Sequence, residues 1–571
     1  MVKSNAPVVQ SLWRRHWPWA LLLVAATVLV YHRMWQAGFI WDDAEHLTQN
    51  PCIIGPLGFK DIWTSSQAVY YPLVLTSFWA LHKFVDLNPL PYHLLNVFMH
   101  AGSAVLLWYV LRQLGVRAAW LGAALWALHP VMVQSVAWIT ELKNTQSCFF
   151  YLLSILFFLK GDDSQKDPQR RWRLGLSLIF FVMAVTSKSA TVMLPVVLVL
   201  CLWWRRRRLL WRDLAVLAPF FSISAAASGW TIWEQKFHSG ALGLEWAQTW
   251  PERLAIAGRD VWFYLSKLLW PSALSFFYPQ WKIDATKLAT FVPLVAALGG
   301  LLLLWWKRNS SLRPVFVAAA YFVISLVPVL DFFDVYFFRF SFVSDHFQYL
   351  AAIGPLALLA SGIASLDLRS FGKTRAWLEP TLVAALLLLL GALTWRQTEN
   401  YTDAETLYRM SIERNPNSWP AYSNLGAIFL QNRQVDEAIS YCRKAVEIKS
   451  DSAESQYNLG NCFLARGDFA QAIAPYQAAL RGRPNNTKAR NNLAVCLAAV
   501  GKINEALEQF KEAIRFDSNY AEAHYNLGYT LVQLGRQEEA VPHLIEAVRL
   551  KPDYVQAKQQ LQALGVSVPP L

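Results

Sequence analysis

The first residues that could carry chemistry are two adjacent carboxylates near the N-terminus. Asp42 and Asp43 stand in the string Phe-Ile-Trp-Asp-Asp-Ala-Glu-His-Leu, a few residues after a long apolar run. Acids beside a membrane are costly unless they are paired or functional. Two neighbouring carboxylates can separate their pKa values, which suits acid–base catalysis, or can hold a divalent cation. A solvated loop can carry two acids as well, so the spacing alone leaves these alternatives open.

Anion-binding groups recur close to the ends of other apolar runs. We predict that four side chains could meet an anionic leaving group: Lys143, Lys188, Arg339 and His346. Glu141 and Asp345 stand beside members of this set and could orient them. His129 could be a functional histidine or one held within the core. Basic side chains also reach from apolar segments to a membrane interface, which is the structural alternative for Lys and Arg.

The elements that position these groups are apolar and numerous. Of the 571 residues, 55% are hydrophobic, 14% aromatic and 16% charged, which argues against an ordinary soluble or disordered chain. A membrane span needs about 20 apolar residues. Two apolar but charge-interrupted segments, Pro72–Leu87 and Glu252–Trp270, are predicted to be interfacial or re-entrant. We predict eleven spans, near residues 19–36, 91–112, 118–139, 144–160, 174–187, 190–204, 211–233, 287–306, 314–330, 346–366 and 378–395.

The net charge of +13 lies wholly before Asn400, and the remainder of the chain is neutral. With eleven spans, the basic clusters fall on alternate loops, around Arg14, Arg112, Lys166, Arg205, Lys307 and Arg369. The positive-inside rule makes those loops cytoplasmic. The Asp42 loop and everything after Trp395 are then external. The basic excess therefore reports orientation and argues against a nucleic-acid partner. We expect the first span to be retained, because no small-residue cleavage site follows it.

The neutral remainder is built from a 34-residue repeat. Asn-Leu-Gly occurs at 424–426, 458–460 and 526–528, and Asn-Leu-Ala at 492–494. Alanines keep the same step at 438, 472, 506 and 540. This spacing is typical of tetratricopeptide repeats, which stack pairs of helices into a solenoid. We predict an all-α chain with a polytopic membrane domain at 1–398 and a repeat domain, a half repeat plus four full repeats, at 399–571.

The residue before each Leu-Gly or Leu-Ala forms a ladder through the repeats. By resemblance to other tetratricopeptide proteins, it faces the concave groove, and amides there can hydrogen-bond a peptide backbone without requiring a particular sequence. The alternative is that these amides only cap or solvate helix surfaces. The predicted acceptor-binding residues are Asn424, Asn458, Asn492 and Asn526.

Longer segments resemble one family across nearly the whole chain. They read WDDAEHLTQNP, YYPLVLTSFWALHKFVDLNPLPYHLLNVFMH, ALHPVMVQSVAWITELKN, SDHFQYLAAIGP and TWRQTENYTDAETLYR. They are similar to the transmembrane and tetratricopeptide-repeat-containing family, whose animal members are O-mannosyltransferases of the endoplasmic reticulum. The wider resemblance is to C-type, polytopic glycosyltransferases.

The resemblance implies a lipid-linked sugar donor and a base in the first external loop. Asp42 or Asp43 would take the proton of an acceptor hydroxyl as its oxygen attacks the anomeric carbon. The leaving polyprenyl phosphate needs no protonation, and a single in-line displacement inverts the anomeric configuration. This chain has Asp-Asp where related protein mannosyltransferases usually have Asp-Glu, which leaves open which acid is the base.

We therefore predict an integral membrane glycosyltransferase that moves a sugar from a polyprenyl-phosphate donor to a hydroxyl of a protein captured by external repeats. Its partners would be that donor, the acceptor protein or peptide and membrane lipid. The sequence specifies no certain cofactor, although the acids could hold a divalent cation. The alternatives are a non-catalytic, membrane-anchored repeat scaffold for an envelope or secretion complex, and a transporter. A transporter is disfavoured by the lack of an evident internal membrane repeat. The final residues, SVPPL, are not a retention signal, which favours a bacterial inner membrane with the repeats in the periplasm.

Overall fold

The computed structural model describes residues 8–65, 71–163, 168–238, 241, 246–366 and 375–567. All regular structure in these ranges is helical, which confirms the predicted all-α class. The chain divides into two compact units, residues 1–410 and 411–571. The finer boundary between residues 398 and 399 stays a prediction. Lys166 and Arg369, of the predicted cytoplasmic loops, lie outside the described residues.

The first unit consists of apolar helices joined by short turns. In chain order they are α1 Val8–Val30, α2 Phe59–Thr64, α3 Pro72–Val85, α4 Pro89–Gln113, α5 Ala119–Ala127, α6 Val133–Ala137, α7 Leu142–Asp163, α8 Arg170–Ser187, α9 Leu194–Arg206, α10 Trp211–Phe237, α11 Trp250–Leu269, α12 Val292–Trp306, α13 Arg313–Leu326, α14 Ile353–Ile363 and α15 Arg375–Thr398.

Each of the eleven predicted spans overlaps a helix of this unit. Among the described residues, six helical segments are long and apolar enough to cross a membrane: Pro89–Gln113, Ile139–Asp163, Ser189–Arg206, Trp211–Phe237, Leu288–Trp306 and Trp377–Tyr401. The bent pair α5 and α6 would make a seventh. Shorter apolar helices occupy His16–Val30, Arg313–Val329 and Ile353–Ile363. The unit is therefore a multi-pass membrane unit, and the count of eleven stays a prediction.

An apolar surface covers the outside of this unit. Helix α12 has no buried residue, and Leu302 and Trp306 are each about two-thirds exposed. Trp211 at the start of α10 and Trp377 near the start of α15 are also largely exposed. An exposed apolar surface of this kind suits contact with lipid, and tryptophans at helix ends suit the membrane interface.

One predicted span, 118–139, is broken rather than continuous. Helices α5 and α6 meet at Pro130 with a bend of 54°, because proline lacks an N–H and clashes with the preceding turn. The Leu128 carbonyl there accepts a hydrogen bond from Thr394 Oγ1 at 2.7 Å. His129 is buried, and its Nε2 lies 3.0 Å from the Leu268 carbonyl oxygen. These contacts assign His129 a structural position in the break.

The predicted span 346–366 begins later than expected. Helix α14 starts at Ile353, and residues Asp345–Gln348 form a separate 3₁₀ turn. The turn is held by Gln134 of α6, whose Oε1 accepts from the His346 amide at 3.1 Å and from Ser344 Oγ at 3.0 Å. His346 therefore lies outside α14, in a turn that is hydrogen-bonded to α6.

The second unit stacks helix pairs in the predicted 34-residue register. Helix α16, Ala404–Arg414, precedes them and spans the unit boundary. The pairs are followed by a last helix, α25. Their bounds are α17 Trp419–Gln431, α18 Val435–Ile448, α19 Ala453–Arg466, α20 Phe469–Gly482, α21 Thr487–Ala499, α22 Ile503–Phe516, α23 Ala521–Gln533, α24 Gln537–Leu550 and α25 Val555–Ala563.

Glycines recur at two positions of the repeats, one within the first helix and one in the turn after it. A Cβ added at Gly460 would lie 2.7 Å from the Tyr476 ring, so the small residue lets paired helices approach closely. The turn inside the second, third and fourth repeats uses a left-handed glycine, at 467, 501 and 535. The first repeat has Arg433 at that position, with φ of 62°.

Candidate active site

Asp42 stands in a polar corner with its two oxygens in different surroundings. Oδ2 lies 3.1 Å from His46 Nε2 and 3.8 Å from Lys143 Nζ. Oδ1 is buried and has no hydrogen-bond partner among the described residues. Burial raises the pKa of Asp42, but Lys143 and His46 outweigh it and hold that pKa below its usual value. The carboxylate is therefore ionised at neutral pH and has one oxygen available to accept a proton.

Asp43 is fully buried and its oxygens are occupied. Oδ2 accepts from the Ile40 amide at 2.8 Å, and Oδ1 accepts from the Thr140 amide at 2.8 Å and from the Thr140 hydroxyl. Burial and the adjacent Asp42 charge raise the pKa of Asp43 to about 7. Asp43 thus connects the loop to the turn before α7.

Trp41 turns the chain just before the two acids. Its φ of 48° is left-handed, a costly conformation for a bulky residue and one that recurs at functional sites. The indole ring packs among Phe277, Phe276 and Phe340, with ring centroids at 4.9, 5.7 and 5.3 Å. Two residues of the Phe-Phe-Tyr-Pro-Gln-Trp segment therefore form an aromatic wall beside Asp42. Trp281, at the other end of that segment, lines a separate surface pocket with Arg259 and Trp262.

A buried glutamate joins two of the predicted cations. Glu141 Oε1 lies 3.3 Å from Lys143 Nζ, and Oε2 lies 3.1 Å from Lys188 Nζ. Asn144 Nδ2 also donates to Oε2 at 2.6 Å. The three charged side chains are nearly buried, at 2%, 7% and 12% exposed. Through Lys143 the cluster continues to Asp42, so the loop acid and both lysines form one charged site.

Helix α4 fixes the turn that carries this glutamate. Asn96 Nδ2 donates to the Trp138 and Ile139 carbonyls at 3.1 and 3.0 Å, and its Oδ1 accepts from the Thr145 hydroxyl at 2.6 Å. One buried amide thus ties both ends of the segment from 138 to 145. Glu141 and Lys143 are therefore placed by the rigid start of α7, which favours a preorganised site.

His346 reaches the same neighbourhood from the other side. Its carbonyl accepts from Asn144 Nδ2 at 2.9 Å, and its ring packs edge-on to Trp138 with centroids 5.7 Å apart. The next residue back, Asp345, accepts from the Tyr278 hydroxyl at 3.0 and 3.1 Å. Burial raises the pKa of Asp345 to about 7.

Arg339 lies on the aromatic wall. Its Nη1 donates to the Tyr336 hydroxyl at 2.9 Å, and its guanidinium lies 5.1 Å from the centre of the Phe340 ring. Phe340 in turn packs on Trp41. The four predicted anion-binding residues therefore do not form one cluster. Lys143 and Lys188 pair with Glu141, and His346 lies close to them. Arg339 contacts the aromatic wall instead.

The asparagine ladder is half-buried and bonded within the repeat unit. Asn424 donates to the Pro420 carbonyl of its own helix at 2.8 Å. The other three donate to side chains of the preceding first helix: Asn458 to Ser423, Asn492 to Asn461 and Asn526 to Asn491, at 2.9 to 3.1 Å. These bonds join successive repeats. A shallow groove elsewhere in the unit is lined by residues that include Arg481, Arg490 and Glu508. Peptide binding by the ladder stays a prediction.

Several site residues were not anticipated from the sequence. His46 could have been found, since it follows Asp42 by four residues and the spacing of one helical turn brings them together. Asn144 follows its partner Glu141 by three residues, which is a similar spacing. Thr140 gives no such local signal, because it lies 97 residues after Asp43 in the sequence. Within the described ranges, no three His, Cys, Asp or Glu side chains group as a metal site would require.

Comparison with family models places the repeats. Models described as a TPR repeat and as tetratricopeptide repeats match residues 497–535, 389–453 and 521–554. A model described as anaphase-promoting complex, cyclosome, subunit 3 matches residues 431–513. The predicted tetratricopeptide architecture is confirmed.

Comparison with curated proteins supports the family resemblance. The chain is 25% identical to the human protein O-mannosyl-transferase TMTC1, over 74% of this chain and 54% of that protein. It is 24% identical to the mouse protein O-mannosyl-transferase TMTC2, over 74% of this chain and 61% of that protein. The chain thus spans little more than half the length of these relatives. The resemblance to this family of membrane proteins with tetratricopeptide repeats is confirmed.

Solved structures match parts of the chain. The TPR protein YrrB, described as having an unusual peptide-binding site, is 25% identical over 32% of this chain and 91% of its own, with a TM-score of 0.26. MamA is 21% identical over 27% of this chain and 89% of its own, with a TM-score of 0.25.

Proposed function

We propose that this chain, like the relatives named protein O-mannosyl-transferases that it resembles, is an integral membrane glycosyltransferase acting on protein hydroxyls. Its donor would be a sugar linked to polyprenyl phosphate, and the transfer would invert the anomeric carbon. The observation that supports this most is the ionised Asp42, with a buried unpartnered oxygen, joined through Lys143 and Glu141 to the nearly buried Lys188.

We propose Asp42 rather than Asp43 as the general base. A base needs a free lone pair within reach of the hydroxyl proton, and Oδ1 of Asp42 meets that need. The oxygens of Asp43 already accept three hydrogen bonds, from Ile40 and Thr140. Asp43 then acts as a positioning residue that holds the loop against the start of α7.

The lysines would stabilise the departing phosphate. As the acceptor oxygen attacks, its proton passes to Asp42 and the electron pair of the broken sugar–oxygen bond goes to the phosphate. Asp42 loses one negative charge while the phosphate gains one. Lys143 lies 3.8 Å from Asp42 Oδ2, and protonation of Asp42 would end this ion pair. The lysine charge would then stabilise the negative charge that develops on the phosphate. Preorganised cations in a site shielded from water stabilise such developing charge strongly.

Location and acceptor capture follow from the predicted topology. Multi-pass insertion would put the Asp42 loop and the repeats on the external side, where a secreted or envelope protein would be met. We propose that the repeats hold that protein acceptor. The bacterial inner membrane, with the repeats in the periplasm, stays a prediction.

The test is sugar transfer by the purified full-length protein. Asp42→Asn should reduce transfer from polyprenyl-phosphate mannose to a protein acceptor by about 10²- to 10⁴-fold, as expected for loss of a general base. Glu45→Gln is the matched control, since Glu45 is an exposed acid of the same loop. If Asp42→Asn retains sugar transfer, Asp42 is not the base. If the unmodified protein transfers no sugar from any polyprenyl-phosphate donor, a non-catalytic scaffold is favoured.

A further inference from the structure

Two thiols of neighbouring helices face each other inside the repeat unit. Cys442 lies on α18, the second helix of the first repeat, and Cys462 lies on α19, the first helix of the second repeat. Their sulfur atoms are 3.6 Å apart, and both side chains are fully buried. The two residues are reduced and unbridged in this structure.

The repeat register explains why thiols meet at this junction. Cys442 occupies the position that packs over the small residue of Asn-Leu-Gly, where a Cβ added at Gly426 would lie 2.3 Å from Cys442 Sγ. One repeat later the same position is Tyr476, and the following two repeats have Phe510 and Leu544. Bulky residues therefore occupy this position in the other three repeats, whereas the first repeat has the smaller Cys442.

The facing position varies differently. Thirty-four residues after Cys462 the chain again has a cysteine, Cys496, but the residue in the place of Cys442 is then Tyr476. Cys496 is also buried and reduced. The second junction therefore provides a thiol of the same register with an aromatic neighbour, which is a matched control within the chain.

We propose that Cys442 and Cys462 are a disulfide site that closes when local opening at the contact between α18 and α19 exposes one of the two buried thiols to a thiol oxidant. Bonded sulfurs are about 2.05 Å apart, so the pair must approach by about 1.5 Å, which small side-chain rotations across one helix contact can provide. The required oxidant is a disulfide, either oxidised glutathione or a dithiol–disulfide oxidoreductase. One cysteine attacks it as the thiolate and releases one thiol, and the second cysteine resolves the mixed disulfide and releases the other.

The bond would clamp one specific junction of the solenoid. Stacked repeats contact only their neighbours, so a covalent tie between α18 and α19 fixes the first two repeats relative to each other. A disulfide that closes the loop between Cys442 and Cys462 would stabilise the fold mainly by restricting the unfolded chain. For a unit of this size we expect the melting temperature of the repeat unit to rise by roughly 5 to 10 °C on oxidation.

The experiment uses the purified full-length protein treated with oxidised glutathione, quenched with N-ethylmaleimide under denaturing conditions and digested with trypsin without reduction. Mass spectrometry should find residues 434–443 joined to residues 450–466, and dithiothreitol should separate them. Cys442→Ser and Cys462→Ser should each abolish the joined peptide, whereas Cys496→Ser should retain it.

Thermal melts provide the second readout. Reduction should lower the melting temperature of the unmodified protein and of Cys496→Ser, but not that of Cys442→Ser. Recovery of both peptides only as maleimide or glutathione adducts, or Cys462 joined to another cysteine, would overturn the proposal. Because glutathione supplies the oxidation, the result does not depend on transferase activity or on the side of the membrane.

Discussion

The adjacent acids Asp42 and Asp43 differ in what their oxygens contact. One carboxylate has an unpartnered oxygen, and the other accepts three hydrogen bonds from Ile40 and Thr140. The lysine beside Asp42 keeps it ionised, while burial raises the pKa of Asp43 to about 7. A base and a structural anchor can therefore stand next to each other in the chain, because environment and not residue type sets their roles.

Lys143→Gln tests the electrostatic link at the residue scale. Lys143 holds the pKa of Asp42 low, so its removal should raise that pKa and leave the base protonated at a higher pH. The acid limb of the pH–rate profile for sugar transfer should therefore move to higher pH. Lys60→Gln, an exposed lysine of the same loop, should leave the limb in place. A limb that does not move in Lys143→Gln would show that Asp42 is not the titrating base.

Residue types near the acids were predictable, but partners from distant segments were not. The Asp-Asp pair and the cations Lys143 and Lys188 stand out as charges beside apolar runs. That Glu141 joins the two lysines depends on the turn before α7, which Asn96 of α4 holds, and on the approach of residues 188 and 141, which are far apart in sequence. No local period encodes such contacts between distant segments, whereas the pairing of Asp42 with His46 and that of Glu141 with Lys143 lie within reach of the sequence.

At the scale of elements, periodicity predicted the repeats well and the membrane segments less fully. The 34-residue step places every helix pair of the second unit, since each repeat packs on the next in the same way. The break at Pro130 and the late start of α14 were missed. Both depend on tertiary hydrogen bonds, from Thr394 and to Gln134, that supply backbone partners where a continuous helix was expected.

The turn of the first repeat allows a prediction for one element. Arg433 has φ of 62°, where the other three repeats have glycine. A left-handed conformation costs a residue with a Cβ roughly 1 to 2 kcal/mol, and glycine avoids this cost. Glycine also makes the unfolded chain more flexible, which offsets part of the stability gained. Arg433→Gly should therefore raise the free energy of unfolding of the repeat unit by about 0.5 to 1 kcal/mol.

The measurement is denaturant unfolding of the full-length protein, monitored through a signal that comes from the repeat unit. Lys444→Gly is the opposite control, because Lys444 is an exposed residue within α18 and glycine there should destabilise the helix by about 1 kcal/mol. If Arg433→Gly destabilises the unit as Lys444→Gly does, the left-handed turn is not a strained position.

At the scale of the whole molecule, the proposed function requires a particular topology. The loop that carries Asp42 and the repeat unit must lie on the same side of the membrane, since the proposed acceptor is captured by one and modified at the other. The predicted eleven spans, an odd number, together with basic residues on the alternate loops, would give this arrangement. The six native cysteines are buried, so exposed engineered cysteines should react much faster and can report the topology.

Cysteine accessibility checks this arrangement in intact cells or sealed vesicles. Lys60→Cys in the Asp42 loop and Glu437→Cys in the first repeat should both react with a membrane-impermeant maleimide from the external side. Arg208→Cys, an exposed position after α9, should react only after the membrane is permeabilised. Labelling of Lys60→Cys without Glu437→Cys would refute the shared side and with it the capture of acceptors by the repeats.

The proposed chemistry depends above all on where the donor phosphate binds. The deciding measurement is an experimental structure of the full-length protein with an unreactive phosphonate analogue of a polyprenyl-phosphate sugar. We expect the phosphonate to contact Lys143 and Lys188, with the anomeric carbon beside Asp42 and the aromatic wall of Trp41. A phosphonate bound away from both lysines, with Asp42 out of reach of the anomeric carbon, would contradict the assignment of this site.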